Sequence, residues 1–457
     1  MKTFDIIVIG AGRASNLARN AGKNGKNVAI IEKSKFGGTC PNRGCVPSKL
    51  LIGYAEVARS IKEASRHFID ATINHIDVQK IFEETNTYIE SIDPAYRSRF
   101  NENVHTFTGT ASFVSNYVVE VNGEKLTAPK IVIATGTRPI ASLHEKAWTS
   151  DDIFPLKGKV PKSITIVGAG FIACELANFF DAVGVKTKLL VRSQNILKNE
   201  DVDISAIFKK EFSKTVDVAF DTSIKNIDHR DNHFYLTLEN KNTETREHES
   251  EALLYATGRM SNTDTLNLEN TDIEVNKRGF IVRDAHFETA VKGVYVVGDA
   301  SGEHMLQHAA AAEVNHVQKV LLEEKSEIYT FKYMPHAVFT HPEVASVGLT
   351  EQKAKEEGIR YVTSMTSWLA SAKAQSLRIK YPRTKFLINP DTYEILGCHL
   401  IGPQSATMMH QVLSIMHINN DIRHLKEMLY IHPALSEALL PAAVQAVSAV
   451  RTYQKVH

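Results

Sequence analysis

Cys40 and Cys45 lie in the stretch Gly37-Gly38-Thr39-Cys40-Pro41-Asn42-Arg43-Gly44-Cys45-Val46-Pro47-Ser48-Lys49, and two thiols at that spacing can do redox chemistry. One turn containing Gly44 could bring the sulfurs to bonding distance. Pro47 fits the first turn of a helix running on through Lys49, Leu50 and Leu51. Cys45 would then sit at the positive end of a helix dipole, where a thiolate is stabilised. Such a pair suits the passage of electrons to sulfur; a structural disulfide, half a zinc site and two inert thiols are the alternatives. No second cysteine pair completes a zinc site, since Cys174 and Cys398 stand alone in apolar surroundings, and no metal is expected.

Two strand–turn–helix units could supply the electrons. Residues 5–9 form an apolar strand, followed by Gly10-Ala11-Gly12-Arg13-Ala14-Ser15 and a helical stretch. A second strand over 28–31 ends in Glu32, twenty residues beyond Gly12. Gly10 and Gly12 would let backbone N–H groups approach a pyrophosphate, and Glu32 would meet a ribose hydroxyl. Ser15 replaces the usual third glycine or alanine and is small enough for close helix–strand packing. Without the strand and Glu32, the glycines would signal only a tight turn.

The pattern recurs over residues 164–173 with Gly168 and Gly170, but the following strand (186–191) runs into Arg192 with no acid at its tip. An acid there would repel a 2′-phosphate, whereas arginine can grip one with a forked pair of hydrogen bonds. Lys198 is a second cation. The pattern favours NADPH, with NADH as the alternative and a solvated arginine as the plain reading. Two nucleotide folds need two nucleotides. The one beside the cysteines should hold the cofactor that exchanges electrons with them, which a flavin can do, and the other the hydride donor.

Bulk properties set limits on partners. A chain of 457 residues should form two to four domains, and 53 lysines and arginines balance 52 aspartates and glutamates. Neither nucleic acid nor a membrane is expected as a partner. Four cysteines are no secreted disulfide framework, so a cytoplasmic location is expected. A strand beginning at Phe4 leaves no room for a signal peptide, and no apolar run approaches membrane-spanning length.

Residues 37–49 resemble the active-site segment of the class I pyridine nucleotide–disulfide oxidoreductases, and the likeness spans nearly the whole chain. Ala134-Thr135-Gly136 and Ala256-Thr257-Gly258-Arg259 resemble the family's two strand-end turns. Tyr295-Val296-Val297-Gly298-Asp299-Ala300 resembles its second FAD signature, and residues 339–348 the opening of its dimerisation domain. His432-Pro433-Ala434-Leu435-Ser436-Glu437 resembles its carboxy-terminal motif. The resemblance implies FAD and a nicotinamide cofactor, held in part by Gly38, Thr39, Ala134, Thr135, Gly136, Gly258, Gly298 and Asp299. It also implies a homodimer in which His432, oriented by Glu437, serves the partner's cysteines. Read alone, His432 would be an ordinary histidine before an amphipathic helix. Glu437 is too far around an ideal helix for a direct pair, although a loop could allow one. Lys49 and Glu175 are implied to meet near the flavin and add positive charge there. Cys45 would lie beside the flavin, and Cys40, nearer solvent, would attack a small-molecule disulfide.

Within the family the resemblance is greatest to the mycothione reductases, through residues 170–176, Val191-Arg192, Ser91-Ile92-Asp93-Pro94 and residues 430–435. Lysine exceeds arginine and asparagine is abundant, a composition that leans towards an AT-rich genome and the disulfide of another small thiol. Arg43 departs from the commoner spacer between the cysteines. A dihydrolipoyl dehydrogenase, running the same machinery in reverse with NAD, is the second reading, and Arg192 argues against it. A flavoprotein interaction subunit without turnover is the third, opposed by the presence of both cysteines, His432 and Glu437. The expected fold is α/β, with two Rossmann-like nucleotide-binding domains and a C-terminal α+β dimerisation domain. The FAD domain is expected over 1–147 and 284–333, the NADPH domain over 148–283 and the dimerisation domain over 334–457.

Overall fold

The computed structural model describes residues 1–156, 158–323 and 328–456. The chain forms two compact units, each discontinuous in sequence. One comprises Met1–Leu51, Val78–Val160 and Thr257–Phe331; the other Ile52–Asp77, Pro161–Ala256 and Lys332–His457.

The first unit is built on a five-stranded parallel sheet, in the order Val294–Val296, Lys130–Ile133, Ile6–Ile9, Val28–Glu32, Val104–Thr108. Ile6 to Ile9 and Val28 to Ile31 are buried without interruption, the pattern of a parallel sheet covered on both faces. Helix Ser15–Lys23 carries the chain from the first of these strands to the next and buries Leu17, Ala18 and Ala21. Strand order reverses on either side of Ile6–Ile9, so Gly10 lies at a topological switch point, where open α/β sheets bind nucleotides. Gly10, Ala134 and Gly298 each follow the carboxyl end of a strand of this sheet, which gathers them along one edge. The short strands Thr137–Pro139 and Arg259–Ser261 pair antiparallel in the same unit.

In the second unit, strands Ala252–Tyr255, Ser163–Val167, Lys186–Leu190 and Asp217–Ala219 run parallel in that order. Helix Phe171–Ala182 follows Ser163–Val167, repeating the strand–turn–helix arrangement. The C-terminal part is a five-stranded antiparallel sheet, ordered Pro335–Val338, Val344–Gly348, Ile395–Ile401, Arg383–Ile388, Val362–Ser367. Helices Ser405–Ile418 and Leu439–Val456 share its core. In the latter, Leu439, Ala442, Ala443, Ala446, Val447 and Val450 are buried, the three- and four-residue spacing of one helix face. The fold is the α/β class read from the sequence, with an α+β C-terminal region. Among the described residues no helix is long and apolar enough to cross a membrane.

Candidate active site

The first glycine turn is close-packed. Gly10 has φ 104°, and a Cβ there would come 2.3 Å from the Ala134 carbonyl oxygen. Ser15 opens its helix, and its hydroxyl donates to the Gly12 carbonyl at 2.8 Å, so it fills the third-glycine position with a bond of its own. Glu32 accepts from the Ala11 N–H at 2.8 Å and the Ser34 N–H at 2.9 Å, which fixes the turn and leaves lone pairs for a further donor.

An open pocket lies beside this turn, lined by Gly10, Glu32, Lys33, Gly109, Thr135 and Asn262 among others. The Thr135 hydroxyl is buried and finds no partner among the described residues. A glycine cradle, a carboxylate at the strand end and an unsatisfied hydroxyl fit the adenosine and pyrophosphate parts of FAD. Asn262 was not legible in the sequence; its side chain donates to the Thr135 carbonyl at 2.8 Å and its N–H to that of Gly136 at 3.2 Å. Asp299 lies in the turn Gly298–Ser301, and burial raises its carboxyl pKa against the opposing Thr137 hydrogen bond and Arg259 charge. Arg259 Nε donates to Thr137 Oγ1 at 2.8 Å, and that hydroxyl donates to Asp299 at 2.9 Å. The same turn is held by Glu313, fully buried, which accepts from the Gly298 N–H and from Arg283 at 2.8 Å. Gly258 in this unit has φ 137° and its carbonyl accepts from the Ile140 N–H at 3.1 Å.

The cysteine segment is fastened to the glycine turn. The Gly37 N–H donates to the Ala11 carbonyl at 2.8 Å, and Gly38 has φ 70° with its would-be Cβ 2.6 Å from Gly12 Cα. Gly38→Ala should cost about 1–3 kcal/mol in backbone strain alone and push the two loops apart. The variant is expected to purify with less flavin per chain, read from visible absorbance. Wild-type flavin content and melting temperature would contradict this packing argument. Asn42, a further residue the sequence did not single out, is buried and donates to the carbonyls of Phe36 at 3.0 Å and Gly38 at 2.9 Å. That shapes the turn carrying Cys40.

Thr39 and Cys40 begin the short helix Thr39–Arg43, and Cys45 begins helix Cys45–Lys62 with Pro47 in its first turn, as expected. Both cysteines are thiols here. Their sulfurs are hydrogen-bonded; that bond, with burial, pushes the Cys40 thiol up, while the Lys49 charge pulls it down. In the chain by itself Cys45 is exposed and Cys40 half-buried. Cys40 is enclosed in its own short helix, whereas Cys45 opens the next one. Arg43 reaches Ser34 Oγ at 3.2 Å and Asp151 at 3.6 Å.

In the second unit, Gly168 would place a Cβ 2.5 Å from the Ala256 carbonyl oxygen, and Gly170 caps helix Phe171–Ala182. Arg192 and Lys198 are exposed beyond strand Lys186–Leu190, and the Leu197 N–H bonds the Ala169 carbonyl at 2.9 Å. Glu175 is buried in the helix and accepts from the Phe339 N–H at 3.0 Å. It belongs to the second unit and Lys49 to the first. His432 Nδ1 lies 2.9 Å from Glu437 Oε1. The spacing of an ideal helix would not allow this pair, but His432 precedes the tight turn Leu435–Ala438 and the loop brings the groups together. With Nδ1–H donated to the carboxylate, Nε2 is left for proton transfer, the arrangement of an oriented general base. His432 is largely exposed, and the neighbouring Leu429 and Ile431 are 98% and 82% exposed.

Residues 4–314 match the model of the pyridine nucleotide-disulphide oxidoreductase family, and residues 334–443 that of its dimerisation domain. Mycothione reductase of Mycobacterium tuberculosis is 31% identical, over 96% of this chain and 98% of that protein. Dihydrolipoyl dehydrogenase of Buchnera aphidicola is 29% identical, over 95% and 94% respectively. Among solved structures, the HOCl-induced flavoprotein disulfide reductase RclA from Escherichia coli superposes with a TM-score of 0.84 at 26% identity, covering 95% of this chain and 98% of that one.

Proposed function

The chain belongs to the pyridine nucleotide-disulphide oxidoreductase family, FAD-dependent enzymes that act on sulfur with a pyridine nucleotide, and from that premise we propose that it reduces a low-molecular-weight disulfide with NADPH. The observation that carries the reading is the hydrogen-bonded Cys40–Cys45 pair at a helix start, on a segment pinned to the first glycine turn. The Gly10–Gly12 turn, Glu32, Thr135 and Asp299 would hold FAD, which would supply two-electron transfer between the pyridine nucleotide and the Cys40–Cys45 pair.

The chain's own residues then carry the thiol chemistry. Cys45, at the positive end of its helix, holds the negative charge of the reduced pair. Cys40, whose thiol is harder to ionise, needs a base, and His432 of the partner subunit takes its proton through Nε2. The Cys40 thiolate attacks one sulfur of the substrate, forming a mixed disulfide, and His432 of the partner subunit protonates the departing thiolate. Cys45 attacks Cys40, the internal disulfide reforms and the second thiol leaves. The balance is one NADPH and one proton consumed per disulfide, giving two thiols. Lys49, one turn beyond Cys45, is proposed to add positive charge beside the flavin. The exposed Leu429 and Ile431 flanking His432, in a chain carrying the family's dimerisation domain, support a homodimer that shares its sites.

The test is steady-state turnover of a panel of small disulfides and lipoamide with each nicotinamide cofactor. NADPH oxidation driven by a small-thiol disulfide is expected, and preferential NAD reduction by dihydrolipoamide would overturn the proposal. Arg192→Ala should raise KM for NADPH by about tenfold, the loss of one charge-assisted phosphate contact, with KM for NADH little changed. Equal effects on both cofactors would remove Arg192 from 2′-phosphate recognition.

A further inference from the structure

Just beyond Lys198 the chain enters a cluster of buried charge that the disulfide chemistry does not use. Lys385, on strand Arg383–Ile388, is 1% exposed. Its ammonium donates to Asp201 at 2.9 Å, Asp203 at 2.6 Å and Glu351 at 2.6 Å. Asp201 is fully buried, and its other oxygen accepts from the Glu351 N–H at 3.0 Å. Glu200, also buried, pairs with His336 Nε2 at 2.7 Å and the Ser346 hydroxyl at 2.6 Å, while its carbonyl accepts from Gln352 at 2.7 Å. Two consecutive acids are thereby clamped by the C-terminal part of the same unit. Both carboxyls are held below their ordinary range despite burial, by the His336 and Lys385 hydrogen bonds.

Replacing a buried ion cluster by well-packed apolar residues is often neutral or stabilising, so this one is weak evidence for stability and better evidence for fixed geometry. The geometry it fixes is that of the loop bearing the two cofactor-edge cations. At one end Leu197, with φ 50°, is tied through its N–H to the Ala169 carbonyl of the second glycine turn. The Ser205 hydroxyl holds the Ile196 carbonyl at 2.7 Å. At the other end stand Glu200 and Asp201. Lys198 lies between the two anchors with an exposed side chain, so its backbone has little freedom.

We propose that Lys385, acting through Asp201 and with His336 acting through Glu200, is a positioning group for coenzyme discrimination, holding the loop so that Lys198 meets the 2′-phosphate of NADPH. The inference rests on the NADPH reading and adds that the C-terminal region sets cofactor choice.

The experiment compares 2′,5′-ADP with 5′-AMP, binding to the flavin-loaded enzyme being measured by calorimetry. Wild type should bind 2′,5′-ADP at least about tenfold more tightly. Lys385→Met should lose about tenfold of 2′,5′-ADP affinity with 5′-AMP affinity unchanged, and Lys385→Arg should restore most of the loss. His336→Gln, at a partly exposed position, should shift the same ratio in the same direction and serves if Lys385→Met does not fold. A folded variant with the wild-type ratio, or one weakened equally for both nucleotides, would overturn the positioning role while leaving the NADPH reading intact. A wild type that binds both equally would overturn the NADPH reading itself, and the inference with it.

Discussion

Cys40→Ser enzyme is expected to keep its flavin, to have that flavin reduced by NADPH, and to lose disulfide turnover by about 10³-fold or more, the scale of removing a nucleophile. Cys45→Ser should fail equally in turnover but for a different reason, because the resolving sulfur is gone and the mixed disulfide on Cys40 has no internal attacker. The two variants separate in the absorbance spectrum. Anaerobic NADPH should produce a long-wavelength band in the wild type, from the Cys45 thiolate beside the flavin. In Cys40→Ser the Cys45 thiolate should give that band in the oxidised enzyme, before NADPH reduces the flavin, and in Cys45→Ser the band should be missing. Its survival in Cys45→Ser would reverse the assignment of the two sulfurs. The proposed order rests on the helix start at Cys45, where the helix dipole favours a thiolate.

His432→Gln is the second large effect, and it can be tested for geometry as well as loss. The homodimeric variant should lose about 10²–10⁴-fold in turnover, the range of a general acid–base group. If His432 serves the cysteines of the partner subunit, the defects should complement. Refolding Cys40→Ser with His432→Gln in equal amounts gives mixed dimers as half the population, each with one site that has both wild-type groups. Activity should therefore recover to about a quarter of wild type. Recovery that stays at the level of the separate variants would place His432 outside the partner's site. Glu437→Gln should act more mildly, since it leaves the imidazole present and removes only the carboxylate at 2.9 Å that orients it.

Local patterns were legible. Both glycine turns, the acid at Glu32, its replacement by Arg192 and the helix start at Cys45 depend on neighbours within about a turn or a strand, which sequence records directly. Contacts closed over long separations were not. Thr137 bridges Arg259 and Asp299, Asn262 holds Thr135, Arg283 and Glu313 support Gly298, and Lys385 meets Asp201. Each looks like an ordinary polar residue until the strands are placed. Spacing also predicts proximity better than burial. It brought Cys40 and Cys45 together correctly, but the more exposed of the two depends on helix Thr39–Arg43. The pairing of His432 with Glu437 failed the helical rule because the segment between them is a loop and tight turn, not a helix.

The central claim is that electrons reach Cys40 and Cys45 from the bound flavin. Its most direct test is anaerobic treatment of oxidised enzyme with NADPH, then rapid alkylation and peptide mass spectrometry, with buried Cys174 and Cys398 as internal controls. The account predicts label appearing on both Cys40 and Cys45 only after NADPH is added. Bleaching of the flavin by NADPH with no gain of label at either cysteine would contradict it.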